Sequence, residues 1–339
     1  MAIKQRELVE LHAHLGTSIN PAVLWSIAHD QGIRLPTKDY KEFNDLVVLT
    51  PKRKLTVPKY LETVYHPILD PLSSGTHPVE KAVHETLGGA YRSSNIVIHE
   101  LRLNPMRHNS GGQQDLDHVI MAALRGMERA LLEYPKLQAG LIFCMAREFP
   151  LSKNTIIAEK AIKYHKRGVV GIDFSGVSNG DFKLKDYTEI IEKCRSAGLG
   201  VTVHSGEAYE IDTNDMWDAL EHIKPERIGH GILAYKDVKL MQELARRGIV
   251  LEVCPLINLV TKAVADISEL KAIFKAFKKY NVRFTINTDW PETVEQAHLN
   301  EQIEFLVKNN ILTENDIDNS IEIAKSATFT KGAGIEAYL

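Results

Sequence analysis

From about residue 95 onward the chain alternates two hydrophobic patterns, and that alternation restricts its possible folds severely. Short β-branched runs are each followed by a longer segment whose apolar residues recur every three or four positions. The runs are "NIVIHELRLNP" (95–105), "LQAGLIFCMAR" (137–147), "GVVGIDFSG" (168–176), "LGVTVHSGE" (199–207), "RIGHG" (227–231), "GIVLEVCP" (248–255) and "NVRFTINTD" (281–289). With "LVELHAH" near the start they make eight predicted strands. Between them, "DLDHVIMAALRGMERALL" places Val119, Ile120, Ala123, Leu124, Met127 and Leu131 on one helical face, with Asp115 or Asp117 as its N-cap. "KDVKLMQELARRG" ends on Arg246, Arg247 and Gly248, basic residues and a glycine that suit a helix C-terminus.

Strands apolar on both faces that alternate with helices indicate a parallel sheet covered by helices. Eight such units favour an α/β fold of the (β/α)₈ TIM-barrel type over an open doubly wound sheet. No G-x-G-x-x-G follows the first strand, which removes the main support for a dinucleotide fold. No low-complexity tract or linker divides the chain, so residues 1–339 read as one barrel domain. The stretch 16–94 is too long for a βα loop and is expected to carry extra helices, such as "PAVLWSIAHDQG" and "HPVEKAVHETLGGAYR", over the barrel mouth.

Charge narrows the partners. Lys and Arg total 41 against 44 Asp and Glu, a formal charge of −3 that argues against nucleic acid or an anionic membrane as partner. "PKRK" at 51–54 reads as a solvated loop. No apolar run reaches the length of a membrane span, and "MAIKQRELVE" lacks the apolar core of a secretory signal. Cys144, Cys194 and Cys254 are scattered and form no C-x-x-C pair, as expected of free thiols in a reducing, cytoplasmic setting.

The residues able to do chemistry stand at the C-terminal ends of the predicted strands. His12 and His14 end the first, His204 the fifth, His230 the sixth and Asp289 the last, with Glu207 just past His204. His12 and His14 are two apart and so share a face of their strand. Singly, each has an ordinary explanation: His230 as a buried histidine bonded to a carbonyl, Asp289 as a helix cap before a proline, Glu207 as a first-turn carboxylate. Together they coincide with the face on which barrel enzymes build their active sites. Imidazoles with a carboxylate suit a borderline-soft divalent ion such as Zn²⁺, leaving a position for water. The set points to a metal-dependent hydrolase. It lacks the cysteine ligands of the H-x-E…P-C-x-x-C zinc deaminases.

At these residues the sequence resembles the adenosine deaminase family of the amidohydrolase superfamily. "ELHAHL", "VHSGE", "RIGHGI", "LEVCPLINL" and "INTDWP" stand in the family's order over most of the chain, with "HELRLNP" and "GIDFSG" as weaker matches. The resemblance implies that His12, His14, His204 and Asp289 hold one Zn²⁺. It implies that Glu207 protonates a purine ring nitrogen, and that His230, helped by Asp289, holds the attacking hydroxide. Gly176 would offer its backbone N–H to another ring nitrogen. "GIDFSG" has no Lys to bridge a second metal, so one ion is expected.

Two positions depart from the family pattern. Members acting on adenosine usually carry H-L-D-G, whose Asp reaches the ribose; here that place is Gly16. They also carry a second Asp after the metal-binding one; here it is Trp290, which offers only an N–H donor. The expected function is therefore hydrolytic deamination of a 6-aminopurine-type small molecule, with adenosine, adenine, an N6-substituted adenine or a modified adenosine as substrate. An amidohydrolase acting on another ring or amide, and a nucleoside-binding protein without turnover, are the alternatives.

Overall fold

The computed structural model describes residues 6–50, 52–53, 55–109, 115–178, 180–207 and 212–330. Eight strands run parallel in the order of the sequence: β1 (Leu8–His14), β2 (Ile96–Leu103), β3 (Gln138–Ala146), β4 (Val169–Ser175), β5 (Gly200–Ser205), β6 (Arg227–His230), β7 (Val250–Val253) and β8 (Arg283–Ile286). They form the (β/α)₈ barrel that the alternating patterns predict. Closure between the last strand and the first uses few ladder bonds. Asp289 N–H donates to His12 O at 2.8 Å, while Asn287 Oδ1 accepts from Leu11 N–H and Glu10 Oε2 from Thr288 N–H. Side chains thus complete the seam where the two strands diverge.

The helices between strands follow local rules. Asp237 accepts from the N–H groups of Lys239 and Leu240, starting Val238–Arg247. That helix stops at Gly248 in the left-handed region (φ 70°), and β7 follows. The helix Asp117–Glu133 has Leu116, not an Asp, at its N-cap position; Asp115 instead accepts from Asp117 N–H at 3.1 Å. Between β1 and β2 lie helices at Pro21–Asp30, Tyr40–Val47, Val57–Tyr60 and Thr76–Ser94, with a π-helical segment at Leu61–Leu69. Of the basic run "PKRK", Pro51 and Lys54 lie outside the described residues. Arg53 is not free in solvent, because its guanidinium donates to the carbonyls of Asp45 and Leu46 at the end of a helix. Cys144, Cys194 and Cys254 are free and buried. Among the described residues no helix is long and apolar enough to cross a membrane.

The barrel interior is layered by charge, which the apolar strand patterns conceal. At its lower end Arg227 pairs with Glu100 and with Glu252, each at 2.6 Å, and Phe329 lies under the guanidinium at 3.6 Å. Above this, Arg102 pairs with Asp173 at 2.9 Å and Glu252 at 2.5 Å, all three fully buried. The histidines sit above that layer, at the C-terminal ends of the strands.

Candidate active site

Four side-chain ligands, from His12, His204, His230 and Asp289, lie with their donor atoms within 4.8 Å of one another, and all four residues are buried. His14 Nε2 joins them, 3.0 Å from His204 Nε2 and 3.5 Å from Asp289 Oδ1. Glu207 Oε1 is 3.6 Å from His230 Nε2. Residues from β1, from the ends of β5 and β6 and from beyond β8 are thus brought to one point. Two of them, His230 and Asp289, adopt φ of 60°, a left-handed backbone costing ~1–3 kcal/mol that persists only where surroundings enforce it.

The charged layer beneath orients the imidazoles. His12 Nδ1 donates to Glu252 Oε2 at 2.8 Å, and His204 Nδ1 donates to Asp173 at 2.9 Å. Each bond puts the ring proton on Nδ1 and aims a bare Nε2 lone pair at the centre of the cluster. Arg102 touches both carboxylates, so one guanidinium supports two histidines. Burial opposes ionisation of Asp173, but His204 and Arg102 outweigh it and hold its carboxyl below the usual range.

The donor set fits a divalent cation. Burial, reinforced by Arg102 and the neighbouring rings, holds His12, His14 and His230 neutral. Buried His12 Nε2 has no hydrogen-bond partner among the described residues. Burial first, and then the charge of Glu207, push the Asp289 carboxyl well above its ordinary range. Neutral lone pairs and a disfavoured carboxylate converging on one point describe a centre that lacks positive charge, and a cation supplies it.

A cavity of about 530 Å³ opens above the cluster. Beside His14, His204, Glu207, His230 and Asp289, Val57, Pro58, Leu61 and Tyr65 line it from the helices after β1, and Leu103, Cys144 and Gly176 line it from the barrel. Gly176 has φ 88°, a left-handed conformation that calls for glycine, and the carboxylate end of Glu148 stands 2.6 Å from where a Cβ would be. Trp290 also lines the cavity, and its indole packs on Tyr60 with ring centroids 4.5 Å apart. Gly16 lies behind the wall. A Cβ at this position would be 2.5 Å from Tyr65 Oη, so Tyr65 fills the room an Asp side chain would need. Tyr65 itself carries no sequence signal, because its approach to Gly16 joins residues nearly fifty positions apart.

Sequence reasoning also missed Arg102, Asp173, Glu252 and Asn258. The first three stand inside strand runs, where a charged residue amid apolar neighbours was the available signal. Asn258 lies in the short helix Pro255–Val260 and donates from Nδ2 to His230 Nδ1 at 3.2 Å; nothing in its local sequence marks it.

The adenosine deaminase family model matches residues 8–332 of this chain. An adenosine deaminase of Clostridium kluyveri is 30% identical over 337 residues, covering 97% of this chain and 92% of its own length. Among solved structures, an adenine deaminase from Arthrobacter aurescens superposes with a TM-score of 0.82 at 20% identity, covering 96% of this chain and 95% of its own. An Arabidopsis N6-mAMP deaminase superposes with a TM-score of 0.82 at 20% identity, covering 97% and 95% respectively.

Proposed function

The chain belongs to the adenosine deaminase family, and we propose that its barrel mouth is a zinc site that deaminates an uncharged 6-aminopurine. It is a hydrolytic deaminase of the 6-aminopurine class. The observation that carries the fuller reading is the convergence of His12, His14, His204 and Asp289 with Glu207 and His230 at the floor of one cavity.

His12, His14, His204 and Asp289 would hold the ion, a nitrogen-rich set with one carboxylate that suits Zn²⁺. Such an ion supplies the Lewis acidity that makes water a nucleophile near neutral pH. The chain's own groups do the rest. Glu207, at the cavity floor, protonates the ring nitrogen beside the amino-bearing carbon as the water oxygen adds to that carbon. His230 presents Nε2 to the adding oxygen and orients it, with Asp289 on the same side. Gly176 offers its N–H to a second ring nitrogen. One proton of the adding water restores Glu207 and the other passes to the exocyclic nitrogen, so that breakage of the C–N bond releases ammonia, or an amine from an N6-substituted substrate, and leaves the 6-oxo ring.

The charges around the cavity favour a base or nucleoside over a nucleotide. Both guanidiniums that line it are already engaged: Arg102 with Asp173 and Glu252, Arg107 with Glu148 and Asp70. Glu62, at the exposed edge of the lining, is paired with Lys59 at 3.0 Å, and the lining offers a phosphate no unengaged guanidinium among the described residues. Burial also pushes the Tyr65 phenol well above its usual range, so Tyr65 remains an O–H donor for a neutral substrate group.

Release of ammonia or amine from zinc-loaded protein across adenine, adenosine, deoxyadenosine, their N6-methyl forms and AMP tests this reading. An uncharged purine is expected to lead, with AMP about 100-fold lower in kcat/KM because its phosphate meets guanidiniums already paired with carboxylates. Turnover should vanish on chelation and return with Zn²⁺. Silence on every purine with the metal bound would overturn the substrate class, and AMP as best substrate would overturn the charge argument.

Trp290 fills cavity space beside the ion site, so Trp290→Asp opens volume and adds an acceptor. The ratio of adenosine to adenine kcat/KM should rise about 10-fold in this variant. An unchanged ratio in a folded variant would remove Trp290 from substrate selection.

A further inference from the structure

By distance alone His230 belongs to the metal cluster as much as His14 does. The position of its proton separates it from the others, and a residue outside the ligand set controls that position. We propose that Asn258 holds His230 in the tautomer with the proton on Nε2, making it the hydrogen-bond donor of the site instead of a further imidazole ligand. This rests on the catalytic reading above and adds a positioning residue to it.

Three observations support the assignment. An amide Nδ2 can only donate, so the 3.2 Å contact from Asn258 Nδ2 requires a bare lone pair on His230 Nδ1. A neutral ring with a bare Nδ1 carries its proton on Nε2. On that side lie two carboxylate oxygens, Glu207 Oε1 at 3.6 Å and Asp289 Oδ2 at 3.8 Å, which attract an N–H and repel a lone pair. Rotating the Asn258 amide would reverse both contacts and leave buried N–H donors orphaned. The observed orientation leaves Asn258 Oδ1 and His230 Nε2 without hydrogen-bond partners among the described residues, and it turns the Nε2 proton toward those two carboxylates.

Asn258 is built to hold its place. It is fully buried, its N–H donates to Cys254 O at 3.1 Å, and its carbonyl accepts from Val264 N–H at 2.9 Å. It therefore reaches His230 across the β6–β7 side of the barrel from a fixed backbone. The contrast with the other histidines is chemical. His12 and His204 have a carboxylate at Nδ1, which fixes the proton there and frees Nε2 to bind a metal. His230 has an amide donor at Nδ1, which does the opposite. Amide against carboxylate thus separates the hydrogen-bond donor from these two ligands.

Ring-¹⁵N histidine NMR of the zinc-loaded protein, with the His230 signals identified by their loss in His230→Gln, reads the tautomer directly and needs no substrate. The expected result is a protonated Nε2 and a bare Nδ1 in the wild type. In Asn258→Asp the proton should move to Nδ1, with kcat falling about 100-fold and KM within about 3-fold, as for a lost transition-state donor. Asn258→Leu should leave both tautomers present and lose less activity than the Asp variant. A wild-type ring protonated on Nδ1 would overturn the proposal, as would a 100-fold loss in Asn258→Asp with the tautomer unchanged, or a moved proton with kcat intact. If Asn258→Asp does not fold, the wild-type spectrum decides alone. Because that spectrum is independent of turnover, failure of the purine reading would leave this result standing or falling separately.

Discussion

Glu207→Gln should lower kcat on the best purine substrate by about 1,000-fold, within the range for loss of a positioned general acid. Gln keeps the shape and hydrogen-bonding reach of the side chain but cannot deliver a proton. Glu207 is only 4% exposed, so bulk water does not readily take its place. Its position 3.6 Å from His230 Nε2 puts it beside the group proposed to orient the nucleophile. The proposed ligands His12, His14, His204 and Asp289 remain, so on the proposed reading bound zinc should stay at one ion per chain and KM should change little. Steady-state release of ammonia or amine, measured beside metal content, checks both parts. A loss below 10-fold would move proton delivery to another group, and a parallel loss of zinc would show that Glu207 supports the metal instead.

Arg102→Met should have the largest effect on stability, about 3–5 kcal/mol, because it strands buried charges. Arg102 has no exposed surface and donates to Asp173, to Glu252 and to the carbonyl of Leu11. Methionine fills much of the volume but leaves Asp173 without its guanidinium and Glu252 with only Arg227. The damage should pass to the metal, since these carboxylates orient His204 and His12, and such supports typically contribute about 10–100-fold to metal affinity. Urea unfolding and competition with a chelator measure the two consequences. Arg167→Ala is the control: its pair with Glu128 is partly exposed, so its loss should change stability by less than about 1 kcal/mol. If Arg102→Met matched that control, the charged layer would not support the site.

The barrel was legible because its evidence is local. A β-branched run such as "GVVGIDFSG" and a helix closing on Arg246, Arg247 and Gly248 each declare themselves within a dozen residues. Since strand order follows sequence order, the list of strands was also the topology. The gathering of His12, His14, His204, His230, Glu207 and Asp289 followed from one rule, that parallel barrel strands bring their C-terminal ends to a common mouth. The helix start near residue 115 was less legible, because two neighbouring aspartates satisfy the same capping preference and packing decides between registers.

What the sequence determined by itself was therefore the architecture, the family and the chemical types gathered at the mouth, all of which depend on short-range periodicity and chain order. The tertiary structure decided how those groups are held. Tyr65 occupies the space beside Gly16, Arg102 joins the supports of two histidines, and Asn258 meets His230. Each is a contact between distant residues whose meaning lies in a fraction of an ångström or in the direction of one hydrogen bond. A periodic pattern reports which face a side chain takes; only three-dimensional packing determines what it meets there and which atom carries the proton.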